Sequence, residues 1–231
     1  LLARGGLPRF SRVRFDVVAI DAGAARTAEV LHELQELPAV AQALAGAPHA
    51  VLESLPRVLA ASDFIAESCV RDPGVIPALL AGALHSRRSA ADFAAIAAAE
   101  GTHTDEATFQ AWIRRWRRRE MVRIAWRDLA GWADLEETLT ELSAFADSAI
   151  DVACRVAKAG LTERFGTPRG PDGAEQPFVV VGMGKLGGGE LNFSSDIDLV
   201  FLFPEFGDTD GVRSIANEEF FTRLGQALIR L

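Results

Sequence analysis

The chain has 231 residues, 24 basic against 32 acidic side chains, and a net charge of −8 with an isoelectric point near 5.1. With 49% hydrophobic and 24% charged residues it has core material for one large domain or two small ones, which excludes intrinsic disorder. Its acidity weighs against a general nucleic-acid or membrane-surface binder, although a local basic patch is still open, and no apolar run reaches the roughly eighteen residues of a membrane span.

In chain order, Leu1-Leu2-Ala3-Arg4-Gly5-Gly6 has neither an initiator Met nor the charged-then-apolar layout of a signal peptide, and reads as a cut inside a longer protein. Val30, Leu31, Leu34 and Leu37 fit one face of a helix, and Leu52, Leu55, Val58 and Leu59 fit a second. Ser54 or its neighbourhood is expected to open that second helix, with Pro56 tolerated in its first turn. Thr104 followed by Asp105 and Glu106 predicts a helix start, from which Phe109, Trp112, Ile113 and Trp116 step along one side. A long helix is expected over 134–159, with Leu135, Leu139, Leu142, Phe145, Ile150, Ala153 and Val156 turned inward. Residues 1–165 are therefore expected to form a helical bundle.

The texture then changes. Only Ala174, Ala216 and Ala227 continue the alanine-rich pattern beyond Gly160, whereas eight of the fourteen phenylalanines lie there. A Gly/Pro-rich connector over 165–173 marks the boundary. Phe178-Val179-Val180-Val181 and the run 197–203 read as short buried strands, and Phe220, Phe221, Leu224, Leu228 and Leu231 restore helical spacing after Asn217. Residues 166–231 are thus a separate α/β region, and the whole is expected to be α+β.

Between the two strands, five glycines crowd into Gly182-Met183-Gly184-Lys185-Leu186-Gly187-Gly188-Gly189. Glycine lets backbone amides approach a phosphate, and Lys185 adds a cation; a plain tight turn is the simpler alternative. A Walker loop fails because Leu186, not Ser or Thr, follows the lysine. A dinucleotide fingerprint matches at Gly182, Gly184 and Gly187, with Glu205 as its distant acid. Against it, the nine residues between Gly187 and Ile197 are fewer than the roughly ten to twelve that a crossover takes.

A third reading uses the pair that follows. Alternation on a strand would turn Asp196 and Asp198 to one face, where two like charges repel unless a cation lies between them. Mg²⁺ favours one or two carboxylates plus substrate phosphate oxygens. A glycine loop ahead of such a DxD is a nucleotidyl-transfer arrangement. A solvated acid pair at a strand end is the alternative; the apolar neighbours Ile197, Leu199, Val200 and Phe201 weigh against it, since buried unpaired carboxylates are costly.

The string Gly182-Met183-Gly184-Lys185-Leu186-Gly187-Gly188-Gly189-Glu190-Leu191-Asn192-Phe193-Ser194-Ser195-Asp196-Ile197-Asp198-Leu199 closely resembles the active-site segment of bacterial bifunctional glutamine synthetase adenylyltransferase/adenylyl-removing enzymes, members of the polymerase-β-like nucleotidyltransferases. The string over 117–128, with Ser62-Asp63-Phe64 and Arg71-Asp72-Pro73, is similar to that family's helical region. The resemblance implies a helical bundle followed by a partial polymerase-β-like palm. It implies two Mg²⁺ ions on Asp196 and Asp198, and phosphate or nucleotide contacts from Gly182, Gly184, Lys185, Gly187, Gly188 and Ser195. The family carries two copies of this catalytic unit. Asn192-Phe193-Ser194-Ser195, Ile197 and the preceding helical region look like the first, deadenylylating copy. The implied reaction is phosphorolysis of AMP from adenylylated glutamine synthetase, with phosphate entering and ADP leaving; ATP-dependent adenylylation is the alternative half-reaction. A PII-type signal protein is the implied regulator.

Two departures qualify the match. Met183 and Lys185 stand where the superfamily usually places a loop Ser, and the third carboxylate is expected beyond Leu231, with Glu205, Asp208 and Asp210 poor substitutes. An incomplete active site is the expectation, and a non-catalytic interaction module is the remaining alternative. Arg114, Arg115, Arg117, Arg118 and Arg119 read as a solvated helix face, with docking onto an acidic partner as the other option. His32, His49, His85 and His103 share no ligand spacing, and Cys69 and Cys154 lack a CxxC partner. No disulfide or zinc site is expected, and a reducing cytoplasm is the expected location.

Overall fold

The computed structural model describes residues 14–82, 84–101 and 105–230, with side chains from residue 25 onward. Helices α1 (Arg14–Gln35), α2 (Pro38–Ala45), α3 (His49–Ala61), α4 (Asp63–Arg71), α5 (Val75–Ala81), α6 (Ala90–Glu100), α7 (Glu106–Ala130) and α8 (Leu135–Phe165) come first. Strand β1 (Val179–Gly182), the single turn α9 (Gly184–Gly187), strand β2 (Leu199–Leu202) and helix α10 (Asn217–Arg230) follow. Mainly helical with one antiparallel two-stranded sheet among the described residues, the chain is α+β. The chain gathers into two compact units, one from residues up to 85 with 125–132, the other from 86–124 with everything from 133.

In the first unit α1 packs on α2, α3 and α4, and α5 packs on α2 and α4. Leu34, Val40, Val51, Val58 and Ile65 are fully shielded. The second apolar stripe is shifted from expectation: Val51 is inside and Leu52 outside, at 42% exposure. Ser54 does not open α3, which starts at His49, and Pro56 sits within the helix. The reason is tertiary. Ser54 is buried, donates its hydroxyl proton to the Val51 carbonyl at 3.0 Å, and accepts the indole N–H of buried Trp126 at 2.9 Å. Ser62 caps α4 instead, its hydroxyl accepting the Ile65 amide at 3.3 Å.

The second unit is built on aromatic layers. Phe109, Trp112, Ile113 and Trp116 are all buried as their spacing predicts; Trp112 stacks on Trp116 at 5.0 Å and Trp116 meets Phe145 of α8 edge-on at 4.9 Å. Thr104 lies outside the described residues, as do the leading Leu1-to-Gly6 segment, His103 and Leu231. The carboxylate of Asp105 accepts the Thr108 amide at 2.8 Å in the way an N-cap does. Helix α8 is capped by Asp134, whose side chain accepts the Glu137 amide at 2.8 Å, and it runs six residues past the expected end at 159. Leu135, the first residue of the helix and expected inside, is 70% exposed, whereas Thr138 in the same turn is buried.

The phenylalanine enrichment has a packing cause. Phe178 stacks on Phe201 at 5.3 Å and on Phe221 at 5.5 Å, and Phe203 stacks on Phe221 at 4.9 Å, forming a ring layer between the sheet and α10. Register pairs Val179 with Leu202, Val180 with Phe201 and Val181 with Val200. Val180 and Phe201 face the helices, while Val179, Val181, Val200 and Leu202 form an exposed row. The strands, expected to be buried, are therefore covered on one face only among the described residues.

Candidate active site

The loop joining β1 to β2 carries the chemistry-bearing residues, and a few contacts fix its course. The Met183 amide donates to the Asp198 carbonyl at 2.9 Å, extending the ladder one step past the Gly182–Leu199 pair. Gly184 then has φ +55, a conformation open to glycine at little cost, and starts the α9 turn. A side chain on Gly187 would strike the Gly182 carbonyl, so this turn can fold back on the strand only without a Cβ. Two leucines peg the exposed loop to the unit: Leu186 and Leu191 are buried against Ile124 and Leu142. Past Leu191, the Asn192 side-chain oxygen accepts the Ser194 amide at 3.2 Å and the Ser195 hydroxyl at 2.6 Å, closing a tight turn that delivers the chain to Asp196.

Asp196 and Asp198 lie on the lead-in to β2, not on the strand, which begins at Leu199. Both are exposed, and so is Ile197 at 42%. The expected penalty for burying unpaired carboxylates therefore does not apply to them. Asp198 opens the exposed row that continues through Val200 and Leu202, and Asp196 precedes it by two residues. Among the described residues no cluster of three or more His, Cys, Asp or Glu side chains is arranged to hold a metal. Asp210 is already engaged: it accepts Arg169 at 2.8 Å and the Thr167 amide at 2.7 Å, and these bonds, Arg169 first, hold its carboxyl below the usual range.

The glycine loop spends several of its amides internally. Gly187 donates to Met183, Gly188 to Gly184, Gly189 to Leu186 and Glu190 to Lys185. Gly187 and Gly188 thus contribute space, whereas the amides of Gly184, Lys185 and Leu186 belong to the first turn, where no helical acceptor precedes them. The Lys185 side chain is exposed, and Ser195 is half-buried with its proton committed to Asn192. Of the eight residues singled out from the sequence, all lie on this one loop or at its strand ends.

The stretch that carries this glycine turn and its two carboxylates lies within a match to a known protein family. The model of the glutamate-ammonia ligase adenylyltransferase family matches residues 52–231. The chain belongs to this family. Relatives named bifunctional glutamine synthetase adenylyltransferase/adenylyl-removing enzyme include one from Pseudomonas aeruginosa, 47% identical over 187 residues and 79% of the chain. A second, from Thioalkalivibrio sulfidiphilus, is 46% identical over 181 residues and 78% of the chain, and a third, from Shewanella loihica, is 42% identical over 180 residues. In each case the match covers 19% of the relative, so the chain spans about a fifth of the length of the curated relatives it matches.

Within this adenylyltransferase-family chain, the structure adds residues that pattern reading passed over. The expectation for 114–119 was a solvated arginine face, and Arg114, Arg115 and Arg117 are exposed. One turn further, Arg123 is completely buried, donating to Glu120 at 2.8 Å, to Glu141 of α8 at 3.0 Å and to the Ser86 carbonyl at 3.0 Å. Arg88 completes the cluster through Glu120 and, by its amide, Glu141. The i,i+3 spacing of Glu120 and Arg123 among Met121, Val122 and Ile124 was the available signal. Ser143, buried on α8, accepts the Leu191 amide at 3.1 Å. Asn217 donates to the Arg169 carbonyl at 2.9 Å, tying the start of α10 to the connector.

Proposed function

We propose that this chain supplies a helical region (1–165) and the first part of a polymerase-β-like nucleotidyltransferase palm (166–231) in an enzyme that removes AMP from an adenylylated tyrosine of glutamine synthetase by phosphorolysis. What carries this reading is the glycine turn held beside Asp196 and Asp198 at the paired strand ends, in a chain of this family. The names of the relatives, which state both adenylyl transfer and adenylyl removal for glutamine synthetase, support the substrate.

Asp196 and Asp198 are an all-oxygen, exposed donor pair that suits Mg²⁺, a hard ion that takes one or two carboxylates and completes its shell with water and substrate phosphate oxygens. When bound there, Mg²⁺ (two ions in this reading) would neutralise charge on the transferred phosphoryl group. Lys185 and the amides of Gly184, Lys185 and Leu186 would face phosphate oxygens, with Gly182, Gly187 and Gly188 keeping side chains out of the way. The Ser195 oxygen retains lone pairs for a bound nucleotide or its water shell. An oxygen of hydrogen phosphate attacks the AMP phosphorus, the bond to the tyrosyl oxygen breaks, the phosphate proton ends on that oxygen, and ADP leaves. A cytoplasmic setting, regulation by a PII-type protein and ATP in the opposing reaction belong to the same proposal.

The test uses the full-length protein with adenylylated glutamine synthetase, Mg²⁺ and orthophosphate, following ADP release. Asp196→Asn is expected to lower it by about 10²–10³-fold, the scale of removing one preorganised oxyanion-stabilising group from an active site. AMP transfer from ATP to the unmodified synthetase should survive the substitution. Loss of that transfer with ADP release intact would assign the chain to the opposing half-reaction, and loss of neither would end the catalytic reading.

A further inference from the structure

We propose that Ser143, in the middle of α8, is a positioning residue that sets the course of the DxD segment by holding the backbone of Leu191. The segment 192–198 is strung between two anchors. At its far end, the Met183 amide holds the Asp198 carbonyl at 2.9 Å and the β1–β2 ladder follows. At its near end the Leu191 amide donates to the Ser143 hydroxyl at 3.1 Å in a buried setting. Between these anchors the residues bond to one another through the Asn192 turn and are half-buried or exposed.

The chemistry of the anchor is directional. Ser143 donates its own proton to the Leu139 carbonyl one helical turn back, at 2.9 Å. With the proton committed there, the oxygen lone pairs point outward from the helix and accept the Leu191 amide. The helix that presents Ser143 is itself fixed, since Glu141, two residues earlier, is completely buried in the charge cluster with Arg123. Leu142 between them packs on Leu186 and Leu191. Losing the Ser143 oxygen would leave the Leu191 amide buried without an acceptor, and the turn leading to Asp196 would lose its fixed origin.

Hydrogen–deuterium exchange of the peptide 187–198 in the full-length protein tests this. Ser143→Ala should speed its exchange by about fivefold or more, the equivalent of one net hydrogen bond, while Ser143→Thr, which keeps the oxygen and the same back-bond, should exchange as wild type does. Because alanine is the better helix former, part of this loss is offset, and the melting temperature should fall by only about a few degrees. Unchanged exchange in Ser143→Ala would overturn the proposal. The second readout rests on the metal-site reading above: Mn²⁺ binding that is present in wild type and absent in Asp196→Asn should weaken by about threefold or more in Ser143→Ala, as metal sites do when their support is removed. Faster exchange with that Mn²⁺ affinity unchanged would also overturn the positioning role. If wild type shows no Asp196-dependent Mn²⁺ binding, the metal-site reading fails, and the exchange comparison alone decides whether Ser143 holds the loop.

Discussion

Asp196 and Asp198 touch solvent, so their contribution to folding is small, and in the proposed function they act through what they bind. Replacing either with Asn should shift unfolding free energy by no more than about 0.5 kcal/mol, as surface substitutions do, while abolishing the Asp196-dependent Mn²⁺ binding. Chemical denaturation beside a metal titration checks both; unfolding of either variant would give the acids a structural role instead. The cysteines differ for a simpler reason. Cys69 is completely buried and its thiol is pushed up to about 12, by burial first and by the Asp72 charge second. Cys154 is half-buried and raised mainly by the same desolvation. A thiol reagent at pH 8 should therefore modify Cys154 well before Cys69, which should react only as the first unit opens; peptide mass spectrometry reads the order.

At the scale of elements, the joint between α7 and α8 is the most sensitive to substitution. Glu120, Arg123 and Glu141 are each at most 1% exposed, so their charges are solvated by one another and not by water. Removing one member strands the rest: Arg123→Met should cost about 3–5 kcal/mol, the range for a broken buried pair. Replacing Ser62, the α4 cap, by Ala should cost only about 1 kcal/mol. Equilibrium denaturation of the two variants should give that order, and an Arg123→Met protein as stable as wild type would show the cluster to be replaceable by apolar contact. The β1–β2 hairpin is stabilised differently. A two-stranded sheet is marginal by itself, and here the phenylalanine layer on its inner face supplies the missing support.

For the whole molecule, pH should limit stability from both sides. Asp92, Glu175 and Asp210 hold their carboxyls below the ordinary range, through Ser89, Lys158 and Arg169 respectively. The unfolded chain binds protons more readily at these positions, so their stabilisation is present above the normal carboxylate range and fades as pH falls through it. Asp147, raised by burial, works in the opposite sense. On the alkaline side Cys69 keeps its proton in the fold up to about 12 against 9.0 unfolded, so stability should decline as pH rises across that interval. Thermal unfolding followed from pH 3 to 10 should trace a dome, and Cys69→Ala should flatten its alkaline limb.

The sequence by itself determined the helical first part, the two strands, the last helix and the loop that joins the strands. Each of these is written in local period, in glycine placement or in capping residues within a few positions, as with the Phe109–Trp116 stripe and Asp134. The family was legible for the same reason, since its signature is one unbroken string. Tertiary structure alone decided which polar residues go inside. Ser54 reads as a helix start until Trp126 is seen to need its oxygen, and Arg123 reads as one more arginine until two glutamates enclose it. It also decided that Asp196 and Asp198 are exposed ahead of their strand, on the side where, among the described residues, Val179, Val181, Val200 and Leu202 are left uncovered. Burial and pairing depend on residues tens of positions apart, 72 for Ser54 and Trp126 and 48 for Ser143 and Leu191, and no local pattern carries that distance.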